Sequence, residues 1–294
     1  FIYSCHVYGN QAFHQGGAFC FINVKYIHMI KVKFKMNQAG SGGSLAISLP
    51  QSVAISNTLF LQNVAFEQGG SIYIESFQDE VKSTIKFSTV SFLVAETTKK
   101  KIAQTGIAIS VVNAGKCIIQ YAHFRADLMH RTSIMSIAKL KVSYMLLNLV
   151  DFRSLFPDVY LLDVSITQAQ SFGLQTVTFH CPIYIHIEDG LLAHSKKVDF
   201  WYKCVQCKDK FYSLACNKMS IVNMYKIIIE DKNKRGRSSS KCRQCPFHTL
   251  CKNGKIQSLP GYWGYVVKDQ VVVLQCPIEY CCQTGRCVGI DACN

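Results

Sequence analysis

Acidic residues are scarce in this chain: 18 Asp and Glu stand against 32 Lys and Arg, giving a net charge of +14. That imbalance directs attention to anionic partners such as nucleic acid, glycosaminoglycan or acidic lipid headgroups. Long apolar runs are also missing. None approaches the ~20 residues that a bilayer-spanning helix needs, and Ile221-Val-Asn-Met-Tyr-Lys-Ile-Ile-Ile229 is too short and carries a lysine. No signal peptide is visible, as expected of a fragment, and there is no Asn-x-Ser/Thr acceptor among the 12 asparagines. The nine histidines, at 6, 14, 28, 123, 130, 180, 186, 194 and 248, show no His-Glu-x-x-His spacing. No cofactor or metal motif of that kind is expected, and each histidine is expected to be a surface or satisfied core residue.

Acids paired for glycoside hydrolysis are missing as well. Two facing carboxylates are required, and in stacked coils they would come from neighbouring rungs. The candidates are Glu67, Glu75, Asp79, Glu80 and Glu96. One coil beyond Glu67 lies Leu93 or Val94, and one coil beyond Glu75 lies Lys101 or Ile102, so no acid pair stacks. The chain is expected not to be an enzyme.

What is present is a repeat. Asn10-Gln-Ala-Phe-His-Gln-Gly-Gly17-Ala-Phe-Cys-Phe21, Asn37-Gln-Ala-Gly-Ser-Gly-Gly43-Ser-Leu-Ala-Ile47 and Asn63-Val-Ala-Phe-Glu-Gln-Gly-Gly70-Ser-Ile-Tyr-Ile74 are three versions of one phrase, with asparagines 27 and 26 residues apart. A fixed period in this range marks a solenoid, whose coils bury apolar faces only against one another. Phe19, Leu45 and Ile72 are equivalent, as are Phe21, Ile47 and Ile74, giving the period-2 alternation of a half-buried strand. A second strand, Ile55-Ser-Asn-Thr-Leu-Phe-Leu61, precedes the asparagine. The glycine pair, as at Gly69-Gly70, permits positive φ at one corner. The asparagines are expected to occupy the preceding corner in the left-handed region, and Asn10, Asn37 and Asn63 to stack as a ladder beside Gly17, Gly43 and Gly70.

The fold class expected is therefore all-β: a right-handed parallel β-helix of about seven coils over residues 1–200, with a small disulfide-rich, loop-dominated module over 201–294. Later strands are expected at Gly106-Ile-Ala-Ile-Ser110, Ser133-Ile-Met-Ser-Ile137, Val159-Tyr-Leu-Leu162 and Pro182-Ile-Tyr-Ile185, with alternations at Ile85–Val90, Cys117–Tyr121 and Gln175–Phe179 between them. Residues 97–104 are expected to form a loop. The chain starts in mid-repeat and stops at Cys293-Asn294 without a closing element, so it is expected to be a fragment that continues in both directions.

Cysteines concentrate in the second module. Of 15, four lie early (Cys5, Cys20, Cys117, Cys181), and the rest are Cys204, Cys207, Cys216, Cys242, Cys245, Cys251, Cys276, Cys281, Cys282, Cys287 and Cys293. This is the density of a secreted disulfide scaffold. The competing arrangement is a zinc site of Cys204, Cys207, Cys242 and Cys245. The basic run Lys232, Lys234, Arg235, Arg237 and Lys241 lies in a stretch with loop composition and is a candidate polyanion contact. Its cations are not interleaved with aromatics, so nucleic acid is not the expected partner. Pro260-Gly-Tyr-Trp-Gly264 is expected to pack locally, Trp263 covering disulfides.

The Phe34-x-x-Asn37 phrase with its Gly-Gly-Ser/Ala-apolar strand resembles the repeat of chlamydial polymorphic outer-membrane proteins. Similar repeats occur in large cell-surface proteins of invertebrates and protists, followed by a cysteine module like Cys242-Arg-Gln-Cys245-Pro-Phe-His-Thr-Leu-Cys251-Lys-Asn-Gly254, then Pro260-Gly-Tyr-Trp-Gly264 and Cys276-Pro-Ile-Glu-Tyr-Cys281-Cys282. The succession looks more like this second group. The resemblance implies the ectodomain of a membrane-anchored cell-surface protein that serves as spacer or adhesion scaffold for an unidentified protein or glycan, polyanionic glycans included. The alternatives are a β-helix carbohydrate-active enzyme, a polysaccharide lyase or glycoside hydrolase, and a glycosaminoglycan-binding receptor module.

Overall fold

The strand Ser52–Leu61 shows how one coil is built. Val53 and Ile55 are buried, and strict alternation would next turn Asn57 inward. Instead Asn57 takes φ +48°, and Thr58 and Phe60 become the next buried pair. Lys31, Thr89, Tyr121, Leu149 and Thr176 also have positive φ, and register aligns the residues flanking these corners. A left-handed non-glycine residue costs roughly 1–2 kcal/mol. The cost is offset because the turn lets two apolar rows of one strand face a common interior.

These features come from a computed structural model that describes residues 1–76, 83–95, 108–112, 114–127, 133–141, 144–154, 160–167, 171–181, 185–194, 197–214, 218–221, 224–226, 242–267 and 270–277. Among them the regular elements are all strands. Ile2–Tyr3, Tyr26–Ile30, Ser52–Leu61, Thr84–Ala95, Lys116–Asp127, Tyr144–Ser154 and Ser171–Leu174 follow one another as parallel neighbours in the longer sheet. Phe19–Ile22, Leu45–Ser48, Ile72–Glu75, Ile109–Val112, Ser133–Lys141 and Tyr160–Thr167 do the same in the facing sheet. The short pair Gln38–Ser41 and Val64–Gln68 forms a third side. The chain is an all-β parallel solenoid, and the parallel ladders exclude an antiparallel sandwich.

The interior holds a column of rings. Phe34, Phe60, Phe92, Phe124, Phe152 and Phe179 stack in succession with centroids 5.0, 4.8, 4.9, 4.9 and 5.3 Å apart. Those spacings match the rise between parallel strands, so one phenylalanine per rung stacks on the next through the interior. Tyr202 covers the last ring at 4.3 Å.

The far end of the solenoid changes direction. Lys197–Gln206 pairs antiparallel with Tyr160–Thr167, and Ile185–His194 pairs antiparallel with Lys197–Gln206. Ile185, expected in a further parallel rung, thus opens an antiparallel hairpin instead. On the other sheet Lys218–Ile221 and Met224–Lys226 add antiparallel edges. The strand Lys197–Gln206 crosses residue 200, and Cys181 is disulfide-bonded to Cys204. Beyond it lie the small hairpins Thr249–Lys252 with Lys255–Ser258 and Tyr262–Val267 with Gln270–Gln275, around a minor core of Tyr212, Cys251 and Ile256. No helix among the described residues is long and apolar enough to cross a membrane.

Two expectations need correction. Positive φ before the ladder falls on Gly9, Met36 and Gln62, one residue ahead of each asparagine. The asparagines are used for their side chains instead. The register partner of Glu75 is Val112, because the chain between them is longer than one early coil. The same insertion makes Ile109 and Val111 the partners of Ile72 and Ile74, two residues later than the phrase starting at Gly106 implied.

Candidate functional site

The repeat residues are placed together. The backbone N–H and Nδ2 of Asn10 both donate to Asn37 Oδ1 at 3.0 Å. Asn37 donates in the same two ways to Asn63 Oδ1, also at 3.0 Å. Asn37 and Asn63 reach across the corner to Val7 O and Phe34 O, at 3.2 and 3.1 Å. The side-chain amides of Asn37 and Asn63 are thus committed to the chain itself. The glycines beside them do two separate jobs. Gly42 has φ +64°, while Gly43 has no space: a Cβ there would lie 2.2 Å from Gly70 O.

Of the candidate acids, Glu67 and Glu75 approach one phenol. Tyr73 donates to Glu75 Oε2 at 2.8 Å, and Ser41 donates to Glu67 Oε2 at 3.1 Å. Burial first, then the Glu75 hydrogen bond and the charges of Glu75 and Glu67, push the Tyr73 phenol well above its ordinary range. A proton-transfer group works best with its pKa near the operating pH. Tyr73 is driven the other way and stays a hydrogen-bond donor. Asp79, Glu80 and Glu96 lie outside the described residues, as do residues 97–104.

The cysteines expected as a possible zinc set are divided among different bonds: Cys181–Cys204, Cys207–Cys242 and Cys245–Cys251. Cys276 is also disulfide-bonded. Among the described residues no group of His, Cys, Asp and Glu is arranged to hold a metal ion. Disulfides of this number belong to a non-cytosolic, secreted-type protein. Cys5 and Cys20 are exposed thiols, and Cys117 is a buried one whose pKa burial pushes up to about 12. Cys216, Cys281, Cys282, Cys287 and Cys293 lie outside the described residues, as do Lys232, Lys234, Arg235, Arg237 and Lys241. Trp263 lies in the strand Tyr262–Val267. It is 45% exposed and stacks on Tyr265 at 5.1 Å, on the outer face of its hairpin.

One constellation escaped the sequence reading. On the outside of the Phe column, His180 Nε2 lies 2.9 Å from Asp151 Oδ1, and His123 Nδ1 lies 3.9 Å from Asp151 Oδ2. Exposed Arg125 and Arg153 flank them. Each side chain is positioned by the phenylalanine next to it: His123-Phe124-Arg125, Asp151-Phe152-Arg153 and Thr178-Phe179-His180 are register partners, with Phe inward and both neighbours outward. The signal was present as Phe followed by a basic residue, recurring at Phe124, Phe152 and Phe179.

Ser91 pairs with His123, which pairs with Asp151, so serine, histidine and aspartate occupy consecutive rungs. That order alone does not make a nucleophile. Activation needs a serine–histidine hydrogen bond of roughly 2.6–3.2 Å and donors for a developing oxyanion. His123 is 69% exposed, and its approach to Asp151 is loose. The closer contact, to His180, orients an imidazole next to Arg153 on the neighbouring rung. What this face offers chemically is fixed positive charge and hydrogen-bond donors.

No protein-family model matches this chain, and no curated protein or solved structure matches it.

Proposed function

We propose that the chain is a non-enzymatic, extracellular scaffold: a portion of the ectodomain of a membrane-anchored cell-surface protein, acting as rigid spacer or adhesion surface. The observation that carries this reading is the unbroken ring column from Phe34 to Tyr202. An interior filled rung by rung leaves the outer faces as the surface available to a partner. The Cys181–Cys204 bond beside Tyr202 locks the end of the column, and an oxidising compartment suits it. The resemblance to repeat-plus-cysteine-module surface proteins supports the same reading through the Asn–Gly-Gly phrase and the cysteine spacing.

Labelling of intact cells with a membrane-impermeant biotin reagent tests it. The parent protein should be captured without lysis. Labelling that requires permeabilised cells would overturn the proposal.

A second reading, a carbohydrate-active β-helix enzyme, draws on the convergence of Glu67 and Glu75 at Tyr73. Turnover of any member of a glycan library, abolished by Glu67→Gln or Glu75→Gln, would put it first.

A further inference from the structure

The outward positions that follow Phe124, Phe152 and Phe179 hold Arg125, Arg153 and His180, each the register partner of the next. The row crosses the strands at right angles and so follows the solenoid axis, with a step of about 4.8 Å per rung. We propose that this row is a binding line for an acidic polysaccharide, a linear chain carrying sulfate or carboxylate groups laid along the axis.

The proposal names a partner for the surface scaffold described above and rests on that reading only for the compartment. Guanidinium forks match sulfate and carboxylate oxygens two by two, which lysine ammonium groups do not. Asp151 lies in the neighbouring column, where it accepts the Nε2–H of His180 at 2.9 Å and fixes the imidazole along the row. Behind the row, the stacked rings of Phe124, Phe152 and Phe179 hold the three strands in register. The cations are therefore spaced before the ligand arrives, which lowers the ordering cost of binding. A net charge of +14 steers polyanions toward the chain from a distance.

Nucleic acid is the competing polyanion. Single strands are held by aromatic platforms interleaved with cations, whereas the column beside this row is Ser91, His123, Asp151 and Thr178. The disulfides also belong to a compartment where acidic polysaccharides, not nucleic acids, are the common polyanions.

The test is binding of the full chain, secreted with its disulfides, to immobilised heparin, hyaluronan, neutral dextran and single-stranded DNA at physiological salt. Heparin or hyaluronan should bind and dextran should not, the tighter of the two identifying sulfate or carboxylate as the preferred anion. Arg125→Gln with Arg153→Gln should weaken that binding about tenfold, equal to ~1.4 kcal/mol. Lys33→Gln with Lys35→Gln removes the same charge from the same sheet and should leave binding within about twofold. All these side chains point outward, so thermal unfolding midpoints should be unchanged. Three results would each overturn the proposal: no retention at physiological salt, equal losses from the arginine and lysine pairs, or DNA binding as tightly as either glycan. Neutralising Lys232, Lys234, Arg235, Arg237 and Lys241 should leave binding in place. Its loss there, with the arginine pair inert, would assign the site to that run instead. None of these outcomes bears on surface labelling, so failure of the binding line and failure of the surface reading are separable.

Discussion

One side-chain oxygen of Asn63 accepts two hydrogen bonds from Asn37, one from its backbone N–H and one from Nδ2, each at 3.0 Å. Asn63 in turn donates to Phe34 O at 3.1 Å. Both residues are buried. Removing the amide leaves donors without partners in the interior, at roughly 1–3 kcal/mol for each unsatisfied group. Asn63→Ala should therefore cost about 2–4 kcal/mol, read as a fall in the urea midpoint. Asn63→Asp keeps the acceptor but loses the donor to Phe34 and buries a charge. Its deficit relative to the parent should shrink as pH falls and the carboxyl becomes neutral.

The two glycines of each corner should respond differently from a glycine in open space. A Cβ at Gly43 would lie 2.2 Å from Gly70 O and 2.5 Å from Val64 O, atoms of the next coil's backbone. Gly9 has φ +67° with nothing within 4 Å of a Cβ. Gly9→Ala should cost only the left-handed strain, about 1–2 kcal/mol. Gly43→Ala must push neighbouring coils apart and should cost about 3 kcal/mol or more, the size reserved for core disruption. Equal losses in chemical denaturation would show that the coils slide past one another freely.

The sequence made the early coils legible because their corners are chemically demanding. A ladder that needs an amide and a corner that excludes Cβ leave Asn and Gly-Gly at a countable period. The left-handed corners at Lys31, Tyr121 and Leu149 left no such mark. There the buried rows on either side impose the turn, and the exposed residue at the turn is free to vary. Phe92, Phe124, Phe152 and Phe179 continue the column after the asparagine is gone, so a search for Phe-x-x-Asn loses the repeat while the packing persists. The Arg125–Arg153–His180 row was missed for the same reason. It is spaced by the phenylalanines, not by the asparagines, and the basic stretch that drew attention lies elsewhere in the chain.

Ser44 is fully buried, and its hydroxyl has no hydrogen-bond partner among the described residues. The equivalent residue one coil earlier is Ala18, so the backbone there accepts a methyl group. An unpartnered hydroxyl in the interior carries a desolvation penalty of about 1–3 kcal/mol on mutational scales. Ser44→Ala should be neutral or raise stability by up to ~1 kcal/mol, with the midpoint of thermal unfolding moving upward. A loss above that size would reveal a partner for the hydroxyl.

Cys117 makes the stability of the solenoid sensitive to alkali. Burial pushes its thiol up to about 12 from an ordinary value of 9.0. Below pH ~9 the thiol is protonated in both folded and unfolded chains and has no effect on the balance. Above that, the unfolded chain loses the proton and the folded one keeps it. The folded state then weakens by about 1.4 kcal/mol for each pH unit until the folded thiol also titrates. Tyr73, raised for reasons of burial and its two carboxylates, acts in the same direction from a higher starting pH. Denaturation midpoints measured from pH 8 upward should fall, and Cys117→Ala should remove the onset of that slope. In native protein at pH 8, iodoacetamide should modify exposed Cys5 and Cys20 and leave Cys117 untouched, which mass spectrometry of the peptides would read directly. Labelling of Cys117 at the rate of the other two would mean that the ring column opens far more readily than its packing allows.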